Sequence, residues 1–193
     1  STLMRSSAAS DVYKRQKKES IKLKGTGYTE ELGYYWLHID AAQGQGYYGL
    51  CWAASLATII NYIQDSNLTA KQIADRAGIG YNDGATMPQS KKVLKQYGIN
   101  YVFRNRDVYF KTVTANIQKR KPLAIAGWNA AGTGHQVTIY GYKQVVGGEY
   151  LMIWDSAANY NEGSAYILPY IEGGTTYSVN NTDFTWGATL SYK

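Results

Sequence analysis

At Pro122 the apolar residues of this chain change their period, and that change constrains the fold more than any other feature. Upstream, Trp52, Leu56, Ile59, Ile60 and Ile63 recur at spacings of three and four, which gathers their side chains on one face of a helix. Ala53, Ala54 and Ala57 let neighbouring backbone approach closely, so residues 52–64 are expected to form a central, mostly buried helix. A second helix is expected after Asn67, with Thr69 as a competing cap, ending at Ala77 before Gly78. A third covers about 87–97 and stops at Gly98, and a fourth spans roughly 113–119. Beyond Pro122 the pattern is that of strands, at 123–128, 135–143, 149–155, 166–170 and 184–192, with Gly147-Gly148 as a hairpin turn between the middle pair. Helices followed by an antiparallel sheet make an α+β protein, with a cleft expected where the two halves meet.

The length, 193 residues, suits one compact domain with a substantial core. Residues 1–20 are rich in Ser and Ala, then basic, and lack periodicity, so they read as an unstructured or foreign leader; residues 21–39 could add one strand or a packing arm. Residues 1–35 are therefore set apart as leader or packing arm, and 36–193 as the domain that carries the chemistry. There is no apolar run long enough to span a bilayer, and no signal-peptide hydrophobic region at the beginning, so the signal of an exported protein would have been removed or would lie outside this sequence.

The formal charge of +6 is uneven: residues 91–121 hold nine Lys or Arg against the single acid Asp107. That asymmetry fits an anionic partner and fits equally a basic, solvent-exposed helix face. With no zinc-finger spacing, arginine-rich arm or interleaved aromatic and basic motif, nucleic acid is not expected as a partner.

Cys51 is the only cysteine, which excludes internal disulfides and thiolate metal clusters. Only His38 and His135 could add imidazoles, so neither a metal nor a cofactor is expected. The thiol stands where the glycine-punctuated loop Gln45-Gly46-Tyr47-Tyr48-Gly49-Leu50 runs into the long helix. A lone cysteine often serves only as a small buried hydrophobe. At a helix N-terminus beside an imidazolium, however, its acidity rises by several units, and the flanking glycines and Gln45 favour a nucleophile.

His135 follows Gly132-Thr133-Gly134 and opens a strand; as a base it competes only with His38, and it also reads as a hydrogen-bonded structural residue. Asp155 ends a hydrophobic strand, and the Gly147-Gly148 turn brings it back toward His135, either to orient the imidazole or to cap the following turn. With Cys51 as nucleophile, His135 as base and Asp155 as orienter, the chemistry is acyl transfer, the Cys51 amide and Gln45 side chain holding the developing oxyanion.

The blocks Gln45-Gly46-Tyr47-Tyr48-Gly49-Leu50-Cys51-Trp52-Ala53, Gly134-His135-Gln136-Val137 and Ile153-Trp154-Asp155-Ser156 resemble papain-like cysteine peptidases, especially the short bacterial staphopain type. The run from His135 to Tyr142 also resembles bacteriocin-processing peptidases that cut after double glycine, which use aspartate where papain-like enzymes usually have asparagine. The resemblance implies a two-lobed fold, helical lobe first and sheet lobe second, and a thiol endopeptidase with Cys51, His135 and Gln45 in the family's roles. It implies a monomer acting on a peptide or protein substrate, open to a protein inhibitor, and a secreted or surface-associated bacterial enzyme. An extended peptide would lie across the cleft, with Gly84 and Gly134 on opposite walls and Trp128 or Tyr166 shaping pockets. No tryptophan follows Asp155, and Trp186 is the candidate shield for it.

Two other readings remain at this level. Transglutaminases and arylamine acetyltransferases also run Cys, His, Asp in chain order, which would make the chain an acyl transferase. A tyrosine-rich surface also suits a catalytically inactive binding or adhesion module.

Overall fold

The computed structural model describes residues 27–193, so the leader at 1–20 and the start of the arm lie outside the described residues. Helix α1 (Cys51–Gln64) runs through the centre, and eleven consecutive residues, Trp52 to Tyr62, are buried. A helix enclosed on every side must be apolar on every side, which the alanines achieve. Leu56, Ile59 and Ile60 expose no surface, and burying each side chain contributes about 1.5–3 kcal/mol.

Three polar side chains of α1 are each satisfied. Ser55 pairs with Thr138 (2.8 Å), Thr58 Oγ1 donates to the Ala54 carbonyl (2.9 Å), and Asn61 Nδ2 donates to the carbonyls of Ala41 (3.0 Å) and Leu68 (2.9 Å). Helix α2 (Ala70–Ala77) is capped by Thr69 rather than Asn67, because Thr69 and Gln72 exchange hydrogen bonds in a capping box. Helix α3 (Met87–Gln96) begins the same way, from Thr86 and Gln89, with Pro88 in its first turn.

Among the described residues nine antiparallel strands form one curled sheet, ordered β1-β2-β5-β4-β9-β3, with β6 between β5 and β7 and β8 beside β9. The strands are β1 (Tyr28–Glu31), β2 (Tyr34–Leu37), β3 (Val102–Arg104), β4 (Leu123–Trp128), β5 (Gly134–Val145), β6 (Gly148–Asp155), β7 (Ser164–Pro169), β8 (Thr176–Val179) and β9 (Thr182–Ser191). The Gly147-Gly148 turn stands as expected, joining β5 to β6. β1 and β2 form a hairpin whose second strand pairs with β5, so the proposed boundary after residue 35 falls inside a strand of the main sheet. β3 and β8 had no counterpart in the sequence reading. β8 could have been found from Asn180-Asn181, whose positive φ angles of 50° and 61° build the tight turn into β9.

The sheet separates two cores. Ala124, Ala126, Ala188 and Leu190 face α1, α2 and α3, whereas Leu123, Ile125, Val137 and Ile139 face helix α4 (Phe110–Gln118). α4 starts three residues before its expected position because Phe110 and Val113 together fill the second core. The basic run 91–121 is therefore divided between α3 on one face of the sheet and α4 on the other. Several of its cations rest on tyrosine rings, Lys119 and Lys121 over Tyr192 and Arg120 over Tyr28.

Candidate active site

The Cys51 thiol stands at the first residue of α1 and is partly exposed. Leu50, at the N-cap, offers no side-chain hydrogen bond. The uncapped amide donors of the first turn are thus available to the sulfur, and the Trp52 amide among them, with the Gln136 amide from β5 across the cleft, favours the thiolate. Burial pushes the thiol up, but the hydrogen bond and charge of His135, with those two amides, outweigh it and hold Cys51 below its ordinary value of 9.0.

His135 lies near the start of β5, opposite Gly127 of β4. Its Nε2 is 2.8 Å from Asp155 Oδ1, which leaves Nδ1 as the nitrogen that faces the thiol. The two strands explain this contact. Extending the pairing Thr138↔Trp154 by one residue sets Asp155 opposite Val137, so His135 is its diagonal neighbour on the same face, within reach of long side chains. Burial lowers the imidazolium's stability, but the Asp155 hydrogen bond, that of Cys51, and both charges prevail, raising His135 from 6.5 to about 10. Asp155 has no exposed surface and also accepts from the Ala157 amide at 2.9 Å.

Aromatic residues enclose the imidazole. Phe184 and Tyr177 lie 5.2 and 6.2 Å from it between ring centres, and the Tyr177 hydroxyl donates to the His135 carbonyl at 2.5 Å. A Cβ at Gly127 would lie 2.9 Å from that hydroxyl, so the approach depends on the glycine. Trp186, the expected shield of Asp155, donates Nε1 to Ala188 and Thr189 and meets Tyr170 in a T-shaped ring contact. Tyr166 departs from expectation: its hydroxyl meets Asp155 Oδ2 at 3.2 Å, away from the cleft lining. His38, the competing base, is buried with Nε2 2.8 Å from Thr29 Oγ1, beside the C-terminal half of α1 and hence remote from the thiol.

The Gln45 loop is stitched on two sides. The Gln43 amide donates to Thr58 of α1 (3.1 Å), and Trp154 Nε1 donates to the Gln43 carbonyl (3.0 Å). The Gln45 and Gly46 amides donate to Ser156 (3.1 Å) and Asn161 (3.0 Å) in the β6–β7 connection. Gly44 fits only without a side chain, since a Cβ would stand 2.5 Å from the carbonyls of Asn161 and Glu162. The amide of Gln45 is itself oriented: Ser156 Oγ donates to Oε1 (3.3 Å) and Nε2 donates to the Tyr48 carbonyl (3.2 Å). Nε2 carries two hydrogens, so one remains for a ligand. The orienting role of Ser156 was not read from the sequence, because it depends on a contact 111 positions away.

Cys51 and His135 open on a cleft of about 580 Å³ that Gly84, Trp128 and Gly134 also line. Its remaining wall is largely apolar, from Met87, Pro88, Phe103, Ala126 and Ala188. Cys51, His135, Gly84, Gly134 and Trp128 thus share one cavity, as expected of residues that face substrate, whereas Gln45, the expected oxyanion donor, and Asp155 are not among its lining residues.

An α+β fold in which a central helix meets a curled antiparallel sheet, with a cysteine at the helix start and a histidine across the cleft, is that of the papain-like cysteine peptidases. The chain belongs to the papain-like cysteine protease AvrRpt2 family, whose model matches residues 40–165, and it is thereby a cysteine peptidase. The matched model is neither that of the staphopains nor that of the bacteriocin-processing enzymes. Among curated proteins none matches the chain in sequence. Among solved structures, one from work on the mite allergens Blo t 1 and Der p 1 has a TM-score of 0.50 at 13% identity, over 88% of this chain and 77% of that one. Digestive procathepsin L 3 of Tenebrio molitor larval midgut has a TM-score of 0.48 at 11% identity, over 76% of this chain and 66% of that one. Procathepsin L2 of the same tissue gives 0.49 at 14% identity, over 74% and 69%. Among the described residues no helix is long and apolar enough to cross a membrane.

Proposed function

We propose that the chain is a thiol endopeptidase that works through Cys51, His135 and Asp155 and a covalent acyl-enzyme. One observation supports this most: His135 commits Nε2 to Asp155 at 2.8 Å, which leaves Nδ1 for Cys51, the residue at the head of α1 that lines the same cleft. An imidazolium there stabilises the thiolate, and the carboxylate stabilises the imidazolium.

An extended peptide lies in the cleft between Gly84 and the Gly134 and Trp128 wall. Space is open over the α-carbon of Gly84, where an added Cβ would meet nothing within 4 Å, so its backbone is accessible to a peptide. The Cys51 sulfur attacks the scissile carbonyl carbon, and the carbonyl oxygen takes the negative charge between the Cys51 amide and Gln45 Nε2. His135 gives its proton to the leaving amine as the C–N bond breaks, leaving a thioester. Water, deprotonated by His135, attacks that thioester, releases the acid and restores the thiolate–imidazolium pair.

Hydrolysis of denatured casein by the purified chain, with Cys51→Ala and His135→Ala beside it, tests the proposal. Both variants should lose turnover, and His135→Ala should also slow iodoacetamide labelling of Cys51 at neutral pH. Equal labelling of parent and His135→Ala would remove His135 from its role, and incorporation of an added amine in place of hydrolysis would make the chain an acyl transferase.

A further inference from the structure

The two oxygens of Asp155 are held differently. Oδ1 accepts from His135 Nε2 at 2.8 Å and from the Ala157 amide at 2.9 Å, while Oδ2 accepts from the Tyr166 hydroxyl at 3.2 Å. The sheet register makes this arrangement a row across three strands. In β6 and β7, Asp155 pairs with Ser164 and Ile153 with Tyr166, so Tyr166 is a diagonal neighbour of Asp155. On the other side of β6, His135 stands in the same diagonal relation.

We propose that Tyr166 is a positioning residue for the catalytic pair: its hydroxyl holds Oδ2 so that Oδ1 stays on His135 Nε2. This rests on the proposed role of Asp155. A carboxylate turns about its Cβ–Cγ bond in a broad, shallow well, and a donor on its second oxygen narrows that rotation. Asp155 has no exposed surface to recruit a replacement from solvent, so losing the hydroxyl leaves Oδ2 without its donor in a buried place. Burial and the Asp155 charge keep Tyr166 protonated well above the ordinary tyrosine range, so it donates throughout the working pH window. The other titratable groups facing the pair are Cys51 of α1 and Tyr177 of β8. Tyr177 is also raised, chiefly by burial, and its hydroxyl is already given to the His135 carbonyl.

The test compares Tyr166→Phe, Asp155→Asn and the double variant in casein hydrolysis and in iodoacetamide labelling, each across pH. Tyr166→Phe keeps the ring and removes one oxygen. Its kcat should fall about three- to tenfold with KM within about twofold, the size of an ordinary net hydrogen bond, because the hydroxyl acts on the reaction only through Asp155. With a less firmly held carboxylate the imidazolium is less stable. The alkaline limb of hydrolysis should move to lower pH and the acid limb of labelling to higher pH. In the Asp155→Asn background, Tyr166→Phe should add little further loss. Parent-like kcat and limbs in Tyr166→Phe beside an impaired Asp155→Asn, or losses that simply add, would overturn the role of Tyr166 alone. Parent-like behaviour of Asp155→Asn would overturn the role of Asp155 and this inference with it.

Discussion

The oxyanion role of Gln45 lends itself to a graded test. Gln45→Ala removes the side-chain donor but leaves the backbone bonds of residues 45 and 46 to Ser156 and Asn161 in place. The loop should keep its position, so the loss belongs to the transition state: about 10² to 10³ in kcat, or about 2.7–4 kcal/mol. Ser156→Ala acts more weakly, because it removes only the bond that orients the amide, 3.3 Å from Oε1. If that bond contributes about 0.5–1.5 kcal/mol, kcat should fall about two- to tenfold. Gln45→Glu should be at least as damaging as Gln45→Ala, since it sets a negative charge beside a developing one. Casein hydrolysis measures the series, with iodoacetamide alkylation of Cys51 as control, because displacement at a saturated carbon forms no oxyanion. Alkylation should stay within about twofold of the parent if the loss is confined to transition-state charge. Alkylation falling in step with hydrolysis, or a loss carried entirely by KM, would refute the reasoning.

The remaining predictions concern the ion pair, the loop packing and the cleft. The thiolate and imidazolium coexist between the lowered value of Cys51 and the raised value of His135, so hydrolysis should rise on an acid limb below pH 9.0 and fall near pH 10. His135 is raised above its unfolded value of 6.5, so its contribution to stability is complete below that pH and is lost as pH climbs through about 10. Thermal melts of the parent should decline over that window more steeply than those of His135→Ala, and parallel curves would count against the pairing. Gly44→Ala forces a Cβ to within 2.5 Å of two carbonyls; it should cost about 1–3 kcal/mol in denaturant unfolding and depress kcat by parting the Gln45 loop from the β6–β7 connection. Ala188→Phe fills the apolar wall of the cleft, and should raise KM in hydrolysis while leaving the iodoacetamide labelling rate close to that of the parent.

The elements with local causes were legible in the sequence. α1 declares itself because its apolar spacing and its alanines encode burial without reference to anything else, and the Gly147-Gly148 turn follows from backbone freedom at glycine. Cys51 and Gln45 were legible for the same reason, six residues apart on one loop and one helix start. His135 and Asp155 were legible as candidates through a hairpin whose turn is local, but their partnership came from a diagonal register rather than direct opposition. What tertiary structure alone decided depends on pairings distant along the chain. Three-residue β3 carries too little pattern to announce itself, and it forms because β9 offers an edge. Tyr166 and Tyr177 are ordinary members of a tyrosine-rich sequence until strand register sets one hydroxyl on Asp155 and the other on the His135 carbonyl. The charge of residues 91–121 looked like one surface because neighbours in sequence were counted together, and the sheet passing between α3 and α4 divides it. Short-range periodicity is written in the identities of adjacent residues, whereas register and sidedness arise only when remote segments compete for the same core.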